Sequence, residues 1–199
     1  MADPILFAPL VVDPSADTER LGEESLAELS QATPTPVGVA LSELVSSDEE
    51  PSVALGDLSV VDARFAPALL DAALHHLVEV WETAVSGSEE PLAERASAEA
   101  CEALLRPDAN TRLVVRDATL GSWTVTGLDL DRIPPAVEVE LHVTAVRYIV
   151  RFDSVIRAGN TTDRRKMRLE WTLELAGSTK ALWRLVASNS PAVDIPGWP

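Results

Sequence analysis

The sequence predicts an α+β fold: a curved antiparallel sheet of about four strands covered by two helices that come before it in the chain. Three observations carry this. Apolar residues recur at helical spacing from Leu70 to Val85, strict period-two alternation runs from Lys166 to Leu175, and the change from one period to the other falls once, after Pro107. With 199 residues and 46% hydrophobic content, the chain is long enough for one sizeable core.

Residues 1–59 read as an acidic arm with little structure of its own. Asp17 to Leu29 carries only a thin stripe of Leu21, Leu26 and Leu29, weakened by Gly22, and Thr33-Pro-Thr-Pro stiffens the chain after it. Val39 to Val45 allows a turn or two of helix before the polar linker Ser46-Ser-Asp-Glu-Glu-Pro. The domain is expected over 60–187, with a Pro-rich tail at 188–199.

At the domain's start Asp62 can cap a turn, and Pro67 suits the first turn of a helix. Leu70, Leu74, Leu77, Val78, Trp81 and Val85 form a wide apolar stripe that Ser86-Gly87 ends. A second helix is expected from the Ser88 cap to Leu105, with Leu92, Ala96, Ala100 and Leu104 inward and Arg106-Pro107 as its stop. Strand signals come next at Thr111 to Val115, at Ser122 to Thr126 and, past the Ile133-Pro-Pro loop, from Val137 onward. There the apolar positions are odd up to Val143 and even from Val146 to Phe152, which predicts a β-bulge at Ala145. Turn signals at Asp153-Ser154 and Ala158-Gly-Asn160 lead into a basic loop, Asp163-Arg-Arg-Lys166. Met167, Leu169, Trp171, Leu173 and Leu175 then share one face of the next strand, and Ala181 to Val186 is the last.

The formal charge of -16 argues against nucleic acid as a partner, because phosphate backbones are met by clustered Lys and Arg. The charge is uneven: residues 1–100 hold 20 acidic against 3 basic side chains, and residues 101–199 hold 12 against 13. Cys101 is the single cysteine, which removes an internal disulfide and makes a small helix residue its expected role. No run approaches the length of a membrane span, the first residues lack the basic region of a signal peptide, and a cytoplasmic location is expected. Fourteen arginines against two lysines fit a GC-rich bacterial genome.

The order of two helices and a lengthening meander closed by two Trp-bearing strands resembles the nuclear transport factor two-like superfamily. More narrowly, Val61-Asp-Ala-Arg-Phe65, His75 to Trp81, Val137 to Gly159, Arg168-Leu-Glu-Trp-Thr-Leu173 and Trp183-Arg-Leu-Val186 resemble the Tim-forty-four-like domain family. The resemblance spans residues 57–187. It departs where the aspartate of the family's helix entry, usually followed by proline, is followed by Ala63. It implies a cone-shaped α+β sheet and says little about function.

Two uses of that sheet are open. In the first, a non-catalytic module binds a protein partner, or an apolar or lipid-like small molecule, on a concave face built from Leu74, Leu77, Trp81, Met167, Trp171, Leu173 and Trp183, or on the basic cluster Arg164, Arg165, Lys166 and Arg168. A homodimer through the sheet belongs to the same reading. In the second, an isomerase or dehydratase uses a cavity carboxylate, Asp117 before Asp129 or Asp153, or the Glu140 and His142 pair beside Glu138. His75 and His76 point about 100° apart on one helix and cannot chelate a metal by themselves. No cofactor is implied. Trp198 in the tail is expected to tuck onto the domain.

Overall fold

The structure is a computed structural model that describes residues 50–152, 155–175, 182–189, 191–192 and 195–198. The expectations for residues 1–49 and for Asp153-Ser154 lie outside the described residues.

Among the described residues four α-helices precede four strands. Helix α1 spans Pro51–Val61, α2 Pro67–Ser86, α3 Glu90–Ala93 and α4 Ala98–Leu105; the strands are β1 Thr111–Asp129, β2 Ala136–Arg151, β3 Ile156–Leu175 and β4 Trp183–Ser188. The strands form one antiparallel sheet in the order β1-β2-β3-β4. Helix α1 falls in the stretch assigned on sequence to the arm. It starts at Pro51, where a missing N–H costs nothing, and puts Leu55 and Leu58 into the common core.

Between α1 and α2 the Asp62 carboxylate accepts from the Arg64 N–H and is gripped by the Arg64 guanidinium at 2.6 Å. That is the expected cap, and it seats Phe65 against Trp183 with ring centroids 5.6 Å apart, edge to face. In α2 the whole predicted stripe is buried, and the Trp81 indole N–H donates to the Leu104 carbonyl at 3.2 Å, joining α2 to the end of α4.

The single helix expected from Ser88 to Leu105 is broken at 94–97. Ala96 forms a parallel bridge with Leu185 of β4, the Leu185 N–H donates to the Arg95 carbonyl, and the Ser97 N–H donates to the Leu185 carbonyl. A backbone whose groups are committed to a strand cannot also close helical turns. Ser97 restarts the helix by accepting from the Ala100 N–H. Ala96, Ala100 and Leu104 still point inward.

The sheet departs from expectation in three places. Thr111–Val115 and Ser122–Thr126 are parts of one strand, β1, joined across a bulge at Asp117, which has φ 53°. The bulge placed at Ala145 of β2 is in that neighbouring strand, where Asp117 and Ala118 together face the single residue between Val146 and Thr144. The phase of β2 does not slip: Ala145, Arg147 and Ile149 stay on the buried side, while Tyr148 and Val150 are half-buried and Phe152 is exposed. Third, the basic loop is strand. Arg164, Arg165 and Lys166 pair with Val146, Ala145 and Thr144, and the irregularity lies just before them, at 160–163.

The C-terminal segment lies against the end of β2 and β3 at Arg147, on the odd-numbered side. The Arg147 guanidinium donates to the Pro191 carbonyl at 2.6 Å, the Gly159 N–H donates to the Pro196 carbonyl at 3.1 Å, and Ala192 and Ile195 are buried. Trp198 packs against the core, as expected. Gly159, at φ 85°, sits at a close approach between β3 and β2: a Cβ there would stand 2.5 Å from the Arg147 carbonyl oxygen.

Candidate partner-binding face

The helices and the odd-numbered residues of β2 and β3 share the core, so the even-numbered residues face away from it. The pairing register sets them in rows across β1, β2 and β3: Arg116, Val146 and Arg164; then Thr119, Thr144 and Lys166; then Ser122, His142 and Arg168; then Thr124, Glu140 and Glu170; then Gly127, Glu138 and Thr172. The first three rows are basic and the last two acidic. Val146 is 3% exposed between the stems of two arginines, the usual way a long cationic side chain covers an apolar neighbour.

At the centre of the face Arg168 reaches Glu170 at 2.7 Å and Glu140 at 3.6 Å, and His142 lies 3.3 Å from Glu140. Such exposed pairs contribute little stability each. At the basic end Arg164 donates to the Asp117 carbonyl and to the Thr119 hydroxyl, both at 2.9 Å, and Arg116 donates to the Thr161 carbonyl. The two oxygens of Glu82 on α2 accept from the N–H groups of Asp117 and Ala118, at 2.7 and 3.2 Å. The bulge is thus held on its N–H side by a carboxylate and on its carbonyl side by a guanidinium, which sustains a positive φ that only a few per cent of non-glycine residues adopt. Lys166 is exposed and makes no ion pair among the described residues.

The seven residues expected to line a concave ligand face, Leu74, Leu77, Trp81, Met167, Trp171, Leu173 and Trp183, are brought together, and all are 0–4% exposed within the core. The side of the sheet they build is filled by α1, α2 and α4. Of the seven, Trp171 alone borders a described hollow, one opened on the polar face by Glu138, Glu140, Glu170 and Asn189.

The catalytic candidates among the described residues are exposed or half-buried, and Asp153 lies outside the described residues. Asp117 is the exposed bulge residue, and Asp129 is exposed and accepts from the Arg132 N–H. The His142 side chain is 51% exposed and that of Glu140 29%. Among the described residues the buried polar ones are Asp62, Thr111 and Arg147. For Asp62, burial works to raise the pKa, but the side-chain and backbone hydrogen bonds from Arg64 outweigh it and hold the carboxyl below its ordinary value. It is a structural ion pair and has no free proton to give at neutral pH. Burial and the nearby Glu89 raise the Cys101 thiol, which fits an inert helix residue. His75 and His76 sit beside Asp71 and Glu79 of their own helix, at 3.9 and 3.5 Å. Among the described residues no three His, Cys, Asp or Glu side chains gather as metal ligands.

Sequence reasoning missed one exposed group. At the tip of the β2–β3 hairpin Phe152, Val155 and Ile156 are 67, 53 and 50% exposed, between Arg151 and Arg157. The signal was available: the turn-forming pair Asp153-Ser154 places all three next to a reversal, where neither face is covered by a later element. Comparison with known protein families and with curated proteins gives no match.

Proposed function

We propose that this chain is a non-catalytic binding module that takes an acidic protein partner on the basic rows of its outer sheet face. The observation that carries the reading is the placement of Arg116 on β1 and of Arg164, Lys166 and Arg168 on β3, flanking β2 on one face of the sheet, in a chain of net charge -16. A potential opposite to that of the whole molecule is a contrast that selects a partner's charge and speeds its approach. The rows are rigid because register fixes them, and the basic end is braced by Glu82 through the bulge.

A helical layer followed by an antiparallel meander supports the finer reading as a cone of the nuclear transport factor two-like kind and a Tim-forty-four-like domain; the acidic composition of residues 1–59 supports reading them as an arm. Among the described residues no helix is long and apolar enough to cross a membrane. A ligand among the seven core residues would have to displace the helices, and an acid–base reaction would have to use side chains that stand in bulk water, so neither is the reading favoured.

The test is an affinity capture from a lysate of the source organism, comparing the full chain with Lys166→Glu/Arg168→Glu; Arg165, paired with the buried Ala145, lies on the other side of the sheet from the rows. Arg164 is left intact because it holds the bulge. The variant is expected to lose a subset of captured proteins enriched in acidic sequences. An unchanged set from a folded variant removes the basic rows as the binding surface.

A further inference from the structure

On the outer sheet face the order of charge along the strands is antisymmetric. The outward residues of β3 run Arg164, Lys166, Arg168, then Glu170, Thr172, Glu174. The same step, at the same level, separates His142 from Glu140 and Glu138 on β2 and Arg116 from Asp129 on β1. Glu174 is taken up by Arg132, and the neighbouring Arg184 donates to the Ala96 carbonyl. The step is therefore carried by Arg164, Lys166 and Arg168 on one side and Glu138, Glu140 and Glu170 on the other, and Arg168 already meets Glu170 and Glu140 of its own chain across it.

Such a face is complementary to itself. Two copies stacked face to face are related by a two-fold axis lying in the plane between them. An axis along the strands would lay basic rows on basic rows. An axis across the strands, at the step, lays each basic half on an acidic half: Arg168 then opposes Glu170 of the second copy, His142 opposes its Glu140, and Lys166 stands next to its Glu138. Stacked sheets cross at about 30°, which shifts these partners sideways by about one strand and leaves the halves opposed. Arg168 and Glu170 of both copies close into an alternating set of four charges, and a network of this kind contributes where isolated surface pairs do not. The net charge of -16 does not stand on this face: residues 101–199, which contain β1 to β4, hold 12 acidic and 13 basic side chains.

We propose that the outer sheet face is the interface of a two-fold dimer of this chain, with β2 and β3 of the two copies antiparallel and the basic rows of each on the acidic rows of the other. The inference goes beyond the proposed function and does not depend on it. The second copy presents carboxylates to the rows that an acidic partner uses, so a partner binds by displacing it.

The test is sedimentation equilibrium of the purified full chain from about 5 to about 500 µM at physiological salt, where the average mass is expected to climb from that of one chain toward that of two. Lys166→Glu/Arg168→Glu makes the middle of the face acidic, and Glu138→Lys/Glu170→Lys makes it basic. Each variant alone is expected to raise the dissociation constant at least about tenfold. Mixed in equal amounts the two are expected to form a mixed dimer at least as tight as the parent, a recovery that also shows both to be folded. Lys166→Glu and Glu170→Lys, one exposed side chain each, repeat the test with less disturbance. A parent chain that stays monomeric over the whole range overturns the proposal. So does a double variant that dimerises by itself as the parent does, or a mixture of folded variants that stays monomeric.

Discussion

Gly159→Ala tests a close approach between β3 and β2. The new Cβ would sit 2.5 Å from the Arg147 carbonyl oxygen, 2.8 Å from the Tyr148 Cα and 3.0 Å from a methyl carbon of Ile195. The first two are backbone atoms of the paired strand, which can yield only by opening the β2–β3 ladder. Overpacking of this kind costs about 1–3 kcal/mol. The positive φ adds about 1 kcal/mol for any residue with a Cβ, and the stiffer unfolded chain returns about 0.5–1 kcal/mol. The balance is a loss of about 1–3.5 kcal/mol, read as a lower urea midpoint at unchanged slope and a thermal midpoint lower by about 2–14 °C. Gly197→Ala is the control, because Gly197 has nearly the same φ, 84°, with nothing within 4 Å of its would-be Cβ. It should cost only the conformational part. A Gly159→Ala protein within about 0.5 kcal/mol of the parent refutes the steric argument, and equal losses at both positions would leave conformation as the whole effect.

Trp81→Phe removes the bond to the Leu104 carbonyl and leaves unfilled space in the core, and should cost about 2–3 kcal/mol in chemical unfolding. Glu82→Ala frees two amide groups at the bulge; it is expected to destabilise by about 1 kcal/mol and to accelerate hydrogen exchange at Asp117 and Ala118 over other β1 amides. Asp117→Gly should stabilise by a few tenths of a kcal/mol, since glycine adopts a φ of 53° without strain. Asp62→Ala should cost about 1–2 kcal/mol at neutral pH. Because the folded carboxyl titrates below its ordinary 3.8, its contribution is complete above that value and fades as pH falls through the lower folded pKa. Unfolding curves of parent and variant should therefore converge only in strong acid, and a constant gap down to pH 2 would contradict the ion pair's role.

Patterns carried by one element were legible before the structure. The α2 stripe and the odd face of β3 from Met167 to Leu175 are buried as read, because each turns on a single interface that covers one side. Features set by distant partners were not. The break at 94–97 depends on Leu185, far away in sequence, and nothing in Glu94-Arg-Ala-Ser97 announces that its backbone will be borrowed by a strand. In lower β2 the apolar residues fall on both faces. Ile149 is covered on the core side and Val146 lies under two arginines, so hydropathy alone cannot give the phase. The polar start of β3, with Gly159 and Asn160, reads as loop because no face of it is apolar; it is strand because β2 supplies its ladder. For the candidate face, the basic residues of β3 stood out in the sequence. Their alignment with Arg116 did not, since that needs the register of three strands and the extra residue at the β1 bulge.

The ordering of the rows also has a kinetic meaning. Arg164 at the basic end and Glu170 in the acidic rows stand about 20 Å apart along β3, more than two screening lengths at physiological salt, with Arg168 between them paired to Glu170. The two ends are therefore felt separately by an approaching molecule, and the face acts on it as a torque as well as an attraction. A partner with a single acidic end would be turned before it touched, so its docking orientation would be selected during diffusion and would become less uniform as salt is raised.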